Sequence, residues 1–334
     1  MYRHLGRTTL TTGEEMDLGV VEAPDPAWAA QLDPFLGHKP NEYRFHVQES
    51  LQKPLDALQT LFYIGTLGGR VITHVMIVGS GGVGILGHVY TLPEHRRKKA
   101  FHALMRAQMD DCIGRNYTII ILGTGYDSPP YWIYHGFGFR SITPGSGSMM
   151  WSVGPDAVST YWREGAATAR PVLWADWPHL DLLLGRPAEA MEEQPRSFYF
   201  GISDRGSMEG PFLALAVAQR RDASIQAAVL HVPRDTDERG SIVGLAVLAP
   251  EARSFGARRV LDVYVHPRWF DQAAELARSV LAPGTPVVSY TTATDGVRSH
   301  MLTGLGFKHE ASLRRAVRTS AGLRDLTMYV DEDV

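Results

Sequence analysis

His88-Val-Tyr-Thr-Leu-Pro-Glu-His-Arg-Arg-Lys-Lys-Ala-Phe101 leaves an apolar strand, turns at Pro93 and enters a helix under four consecutive cations, Arg96, Arg97, Lys98 and Lys99. The first turn of a helix leaves backbone N–H groups without acceptors and carries the positive end of the helix dipole. Cations are poorly placed there and an anion is well placed, so the pattern suits a bound pyrophosphate. The plain alternative is a solvated basic helix start.

Downstream, Phe101, Leu104, Met105, Met109 and Cys112 recur at three- and four-residue steps, which predicts a helix over Arg97 to Ile113 stopped at Gly114. Tyr117 to Leu122, with isoleucine at 119, 120 and 121, reads as a central strand covered on both faces. Gly123, Gly125 and Pro129-Pro130 break it; a short helix around Tyr131 to His135 and a strand near Ser148 to Val153 follow. Upstream, Ile85 to Leu92, Val71 to Val78 and Phe62 to Gly65 read as meander strands joined at Gly81-Gly82 and Gly68-Gly69. Trp28 to Leu36 and Tyr43 to Leu58 read as short helices after a polar start.

A second series begins after the weakly patterned stretch from Gly154 to Ala167. It reads as strands at Arg170 to Trp174, Ile225 to Val232, Ile242 to Leu248, Leu261 to Val265, Val287 to Tyr290 and Leu326 to Val330. Helices are expected at Pro178 to Leu184, Pro211 to Ala218, Trp269 to Leu281 and Gly296 to Leu302. Val89-Tyr90 before Pro93 matches Val263-Tyr264 before Pro267, and Gly138-Phe139 matches Gly306-Phe307. From proline to glycine the interval is 45 residues in the first series and 39 in the second. Shared order, type and spacing predict an internal duplication, with domains at 1–155 and 167–334.

With 334 residues, of which 44% are apolar, the chain has material for two cores. Lys plus Arg (33) nearly balances Asp plus Glu (36), leaving a net charge of -3, which argues against a nucleic-acid partner and for a small, roughly neutral partner or substrate. The N-terminal residues lack the apolar region of a secretory signal, and no apolar run approaches the ~20 residues of a membrane span. A lone cysteine, Cys112, fits a reducing compartment, so a cytoplasmic monomer or homodimer is expected. His88, His95 and His102 repeat every seven residues across a strand and a helix, where that interval gives no shared face, so no metal site is expected.

The order strand, Pro93-Glu-His-Arg96, basic helix, central strand, short helix, Tyr134-His-Gly-Phe-Gly138-Phe139 resembles the GCN5-related N-acetyltransferase (GNAT) superfamily of acyl-CoA-dependent acyltransferases. The resemblance covers about residues 10 to 155 and recurs, weaker, over 167 to 332. It implies an α/β (α+β) fold of two tandem GNAT-like domains, each a mixed, mostly antiparallel sheet flanked by helices. It also implies an acetyl-CoA or other acyl-CoA site at Thr91, Leu92, Arg96, Arg97, Lys98, Lys99, Ala100 and Phe101, with Asp127 nearby. Tyr134 stands where the family's tyrosine general acid stands. For the base, imidazole titrates near neutrality and His88 lies on the cofactor strand, with Glu94, Asp127 and His135 as alternatives. The expected reaction is acetyl transfer to the amine of a small molecule or peptide. Tyr126, Tyr131 and Trp132 are candidates for an acceptor pocket or for packing.

Two positions depart from the family pattern: Lys99 and Phe101 replace the small residues of the phosphate loop. In the second series Phe270, Ala273, Glu275 and Leu302 stand at the positions of Arg96, Lys99, Phe101 and Tyr134, so that copy is read as degenerate. Two other readings remain: a GNAT-like acyl-CoA decarboxylase, and a non-catalytic acyl-CoA-binding or scaffold protein.

Overall fold

Two successive sets of strands form two separate sheets, of eight and seven strands. The structure, a computed structural model, describes residues 1–162, 164–185, 207–234, 237–251, 254, 257–319 and 322–332. Contacts divide the chain into two units: Met1–Tyr161 with Leu173–Asp181, and Trp162–Val172 with Leu182–Val334.

In the first unit the strands are β1 (Tyr2–Thr9), β2 (Glu15–Glu22), β3 (Gln59–Leu67), β4 (Arg70–Ser80), β5 (Val83–Thr91), β6 (Ile119–Gly123), β7 (Arg140–Ser141) and β8 (Ser148–Ser152). Their order across the sheet is β1-β2-β3-β4-β5-β6-β8-β7, antiparallel except between β5 and β6. The helices are α1 (Ala29–Phe35), α2 (Asn41–Gln52), α3 (Ala100–Gly114), α4 (Pro129–Gly136) and α5 (Ala157–Tyr161). α3 makes the crossover between the parallel strands, and its Leu104, Met105, Met109 and Cys112 are buried in the main core with Tyr63, Ile77, Ile120, Leu122 and Tyr134. Burial raises the Cys112 thiol to about 11, which fits packing rather than nucleophilic chemistry.

The polar start expected before residue 28 is a correction: it holds the β1–β2 hairpin. β1 is an edge strand whose mostly exposed side chains hide its period. α2 stops at Gln52 rather than Leu58, because the residue before Pro54 is driven to extended backbone. The long helix begins at Ala100 rather than Arg97, since Arg97 and Lys99 both have positive φ, at 62° and 64°. The segment 173–181 belongs with the first unit although it lies beyond the break expected between 155 and 167. There a 3-10 turn, Trp174–Asp176, leads into α6 (Trp177–Gly185). The Asp56 carboxylate accepts from the Trp174 and Ala175 amides at 2.6 and 2.9 Å, and Trp177 packs edge-on to His46 at 5.0 Å.

The second unit has β9 (Thr168–Pro171), α7 (Glu209–Arg221), β10 (Gln226–Arg234), β11 (Asp237–Pro250), β12 (Arg259–Val265), α8 (Ala273–Arg278), β13 (Val287–Thr292), α9 (Gly296–Gly304), β14 (Lys308–Thr319) and β15 (Gly322–Asp331). Its order, β9-β10-β11-β12-β13-β15-β14, repeats that of β2 to β7, with β12 and β13 as the parallel pair. Both units are therefore mixed, mostly antiparallel sheets flanked by helices. The long helix expected over Trp269 to Leu281 is a 3-10 turn, Pro267–Gln272, followed by the short α8, and β14 was not anticipated. Among the described residues, no helix is long and apolar enough to cross a membrane.

Candidate acyl-CoA site

The start of α3 presents a run of backbone amides without intramolecular partners among the described residues. Among the described residues, no acceptor meets the backbone N–H groups from Arg97 to His102; the first bond runs from the Ala103 amide to the Lys99 carbonyl at 3.1 Å. Six successive donors at the positive end of a helix suit a pyrophosphate. Lys99 keeps the left-handed backbone that a glycine would adopt freely, so the loop shape survives a lysine there. Phe101 turns inward, packing on the core with its ring 6.2 Å from that of Tyr134, so it does not cover the amides.

The four expected cations do not crowd the helix start equally. Arg96 folds back along β5, donating through Nε to the Thr91 carbonyl at 3.0 Å and lying over the Tyr90 ring. Lys98 pairs with Glu14 at 3.4 Å, while its carbonyl accepts from the Thr11 amide and ties the loop to the β1–β2 hairpin. Arg97 and Lys99 remain exposed at the loop. Beside it, Arg7, Thr9, Lys99, His102 and Arg106 line a groove between β1 and α3.

β5 and β6 pair only over Val83–Ile85 and Ile119–Ile121, so from Leu86 onward the outer edge of β5 has no strand beside it among the described residues. This open edge leads past Thr91 and Leu92 to the free amides. Thr91 is held by Thr73, hydroxyl to hydroxyl at 2.7 Å, and the Leu92 amide donates to Ile72. Val89 and Leu92 face the α3 core with Tyr134, which is buried and held protonated, its hydroxyl pushed up to about 12 by burial.

His88 and Tyr90 face the other way, toward α1 and α2. The His88 ring lies 5.0 Å from Tyr43 and the Tyr90 ring 5.2 Å from Phe35. His88 occupies a bulge with φ 52°, fixed where His74 Nδ1–H donates to its carbonyl at 2.9 Å. Its side chain is buried, and neither ring nitrogen has a partner among the described residues. Burial first, then nearby Lys39, hold it well below the usual histidine range, so it is neutral at pH 7. The proposed acid and base thus lie on opposite faces of the strand that opens. His74 and Tyr43, which support His88, were not singled out in the sequence, because both come from elements distant along the chain.

Asp127, at φ 57°, accepts from Trp132 Nε1 at 2.8 Å and so orders the loop before α4 rather than standing free. Glu94 and His95 lie in the 3-10 turn after β5, and His135 lies on α4 beside Trp132. Tyr131 is core, with its hydroxyl 2.9 Å from that of Ser141, whereas Tyr126 and Trp132 are exposed. Among the described residues no His, Cys, Asp and Glu cluster could hold a metal. In the second unit, Phe270 lies in the 3-10 turn, Ala273 and Glu275 in the first turn of α8, and Leu302 is buried on α9.

No family model matches the chain, and no curated protein matches it. Among solved structures it is similar to a putative acetyltransferase from Salmonella typhimurium solved with acetyl-CoA, at 18% identity over 50% of this chain and 94% of that one, TM-score 0.35. It is also similar to a GNAT-family acetyltransferase from Streptococcus pneumoniae, at 14% identity over 50% of this chain and 99% of that one, TM-score 0.36. A dodecameric spermidine N-acetyltransferase from Vibrio cholerae shows 14% identity over 50% of this chain and 93% of that one, TM-score 0.35.

Proposed function

We propose that the first unit is an acyl-CoA-dependent acyltransferase that acetylates the amine of a small molecule or peptide. The observation that carries this reading is the continuity between the open edge of β5 and the six unpaired amides at the start of α3. The amides of Arg97 to His102 would hold the pyrophosphate, and the free edge of β5 would hydrogen-bond the extended arm bearing the thioester. Acyl-CoA supplies the activated acyl group. His88, neutral and buried on the α1–α2 face, takes the proton of the attacking amine. Tyr134, protonated on the α3 face, returns one to the departing sulfur.

Calorimetric titration of CoA into the full chain tests the reading. We expect saturable binding, weakened at least ~10-fold by Lys99→Glu, which sets a carboxylate beside the phosphates and corresponds to about 1.4 kcal/mol. Absence of CoA binding, or an unaltered dissociation constant in Lys99→Glu, would overturn it.

A further inference from the structure

The second unit contains a buried charge that meets no partner among the described residues. Arg298, in the first turns of α9, is 1% exposed, and its Nε, Nη1 and Nη2 meet no acceptor among the described residues. Buried charges are ordinarily paired, because an unpaired one loses its hydration for nothing in return. α9 follows β13, yet the guanidinium lies over the ring of Tyr264 on β12, with Cζ 5.5 Å from the ring centre. The side chain therefore reaches across the wedge formed where β12 and β13 part, after their two ladder pairs Arg259↔Val287 and Val260↔Val288. At the apex, Ser289 Oγ on β13 donates to the Leu261 carbonyl on β12 at 2.8 Å. With the guanidinium carbon over the tyrosine ring, the fork of N–H donors is left to meet a ligand.

A second orphan stands one helical turn away. Asp295 is 3% exposed; its carboxylate caps α9 by accepting from the Arg298 amide at 3.0 Å, and its Oδ2 has no partner. A buried donor fork and a buried acceptor of opposite charge call for a ligand carrying both complements. A zwitterion answers each without adding net charge to a closed site. Phosphate would bring excess negative charge beside Asp295, and a simple amine would leave the guanidinium unanswered.

We propose that this wedge is a binding site for a small α-amino acid, its carboxylate on Arg298 and its ammonium on Asp295. The site lies wholly within the second unit and does not depend on acyl-CoA chemistry in the first.

Thermal unfolding and calorimetry of the full chain, with the proteinogenic L-amino acids tested singly and acetate and inorganic phosphate as controls, provide the test. One amino acid or a small related set should raise the unfolding midpoint saturably. Arg298→Met should weaken that binding at least ~10-fold, as loss of a buried charge partner does. The same variant should raise the midpoint of the ligand-free protein, since an apolar side chain of similar volume removes the unpaired charge. In the wild type, the Arg298 Nε–H resonance should move on saturation with the amino acid. The proposal fails if no amino acid shifts the midpoint or if acetate or phosphate binds as tightly as the best amino acid. It fails equally if Arg298→Met retains the affinity or melts below the wild type without ligand, or if the Nε–H resonance stays in place.

Discussion

Lys99 holds the backbone of the loop before α3 at φ 64°, a state that costs a non-glycine residue about 1–2 kcal/mol. Lys99→Gly should relieve this and stabilise the protein by up to about 1 kcal/mol, less what glycine loses in conformational entropy, measured as a raised unfolding midpoint. Because the amides remain, its CoA dissociation constant should rise less than ~10-fold, in contrast to Lys99→Glu; a larger loss would shift the binding from backbone to side chain. Tyr134→Phe keeps the ring against Phe101 and removes the proposed proton donor. Turnover, followed as release of free CoA, should fall about 100-fold, at the low end for general acid catalysis because a thiolate can leave unassisted, with CoA affinity nearly unchanged. Wild-type turnover in that variant would leave Tyr134 a packing residue. At this scale the sequence singled out the loop and the tyrosine as candidates, through the proline, the cations and the Gly-Phe pair. It concealed that Lys99 could stand in a glycine's conformation and that Phe101 would turn inward, since both depend on what surrounds the helix start.

Between elements, the packing of α1 and α2 on β3, β4 and β5 buries three histidines, and that burial has a pH signature. His46 is lowered to about 3 and His74 to about 4, both chiefly by desolvation, and His88 is lowered as well. The unfolded chain therefore binds protons, from pH 6.5 downward, that the folded protein refuses. Stability is full above the unfolded pKa and is lost as pH falls from 6.5 toward 4 and below, with a slope of about 1.4 kcal/mol per pH unit for each such proton. Denaturant unfolding across that range should show the decline in the wild type and a shallower one in His74→Asn. Equal slopes would mean that His74 is protonated in the folded protein. The elements themselves were legible where apolar periodicity was strong: α3, β4, β5 and the central strand β6. β1 and β14, each at one edge of its sheet, were not, because side chains exposed to water carry no period-two signal and their pairing is set by the neighbouring strand.

For the whole molecule, the repeated strand order gives two sheets of one topology whose helix starts carry different residues. In the second unit Glu275 stands in the first turn of α8, an unfavourable neighbour for a pyrophosphate. Hydrogen exchange on the full chain saturated with CoA should slow at the amides of Arg97 to His102 and stay unaltered from Phe270 to Glu275; protection confined to the second stretch would invert the assignment. The repeated strand order was foreshadowed by the paired Val-Tyr and Gly-Phe landmarks. The chain's return at 173–181 was not, because the Asp56 carboxylate that receives the Trp174 and Ala175 amides lies more than a hundred residues earlier. That return bears on synthesis. The first unit lacks its closing segment when Tyr161 leaves the ribosome and acquires it only once Asp181 has followed. At about 5–20 residues per second the nascent unit waits on the order of one to four seconds with His46 uncapped by Trp177. A single cut between 155 and 167 would make that wait permanent, so a gene split there would yield a first fragment lacking part of its own core.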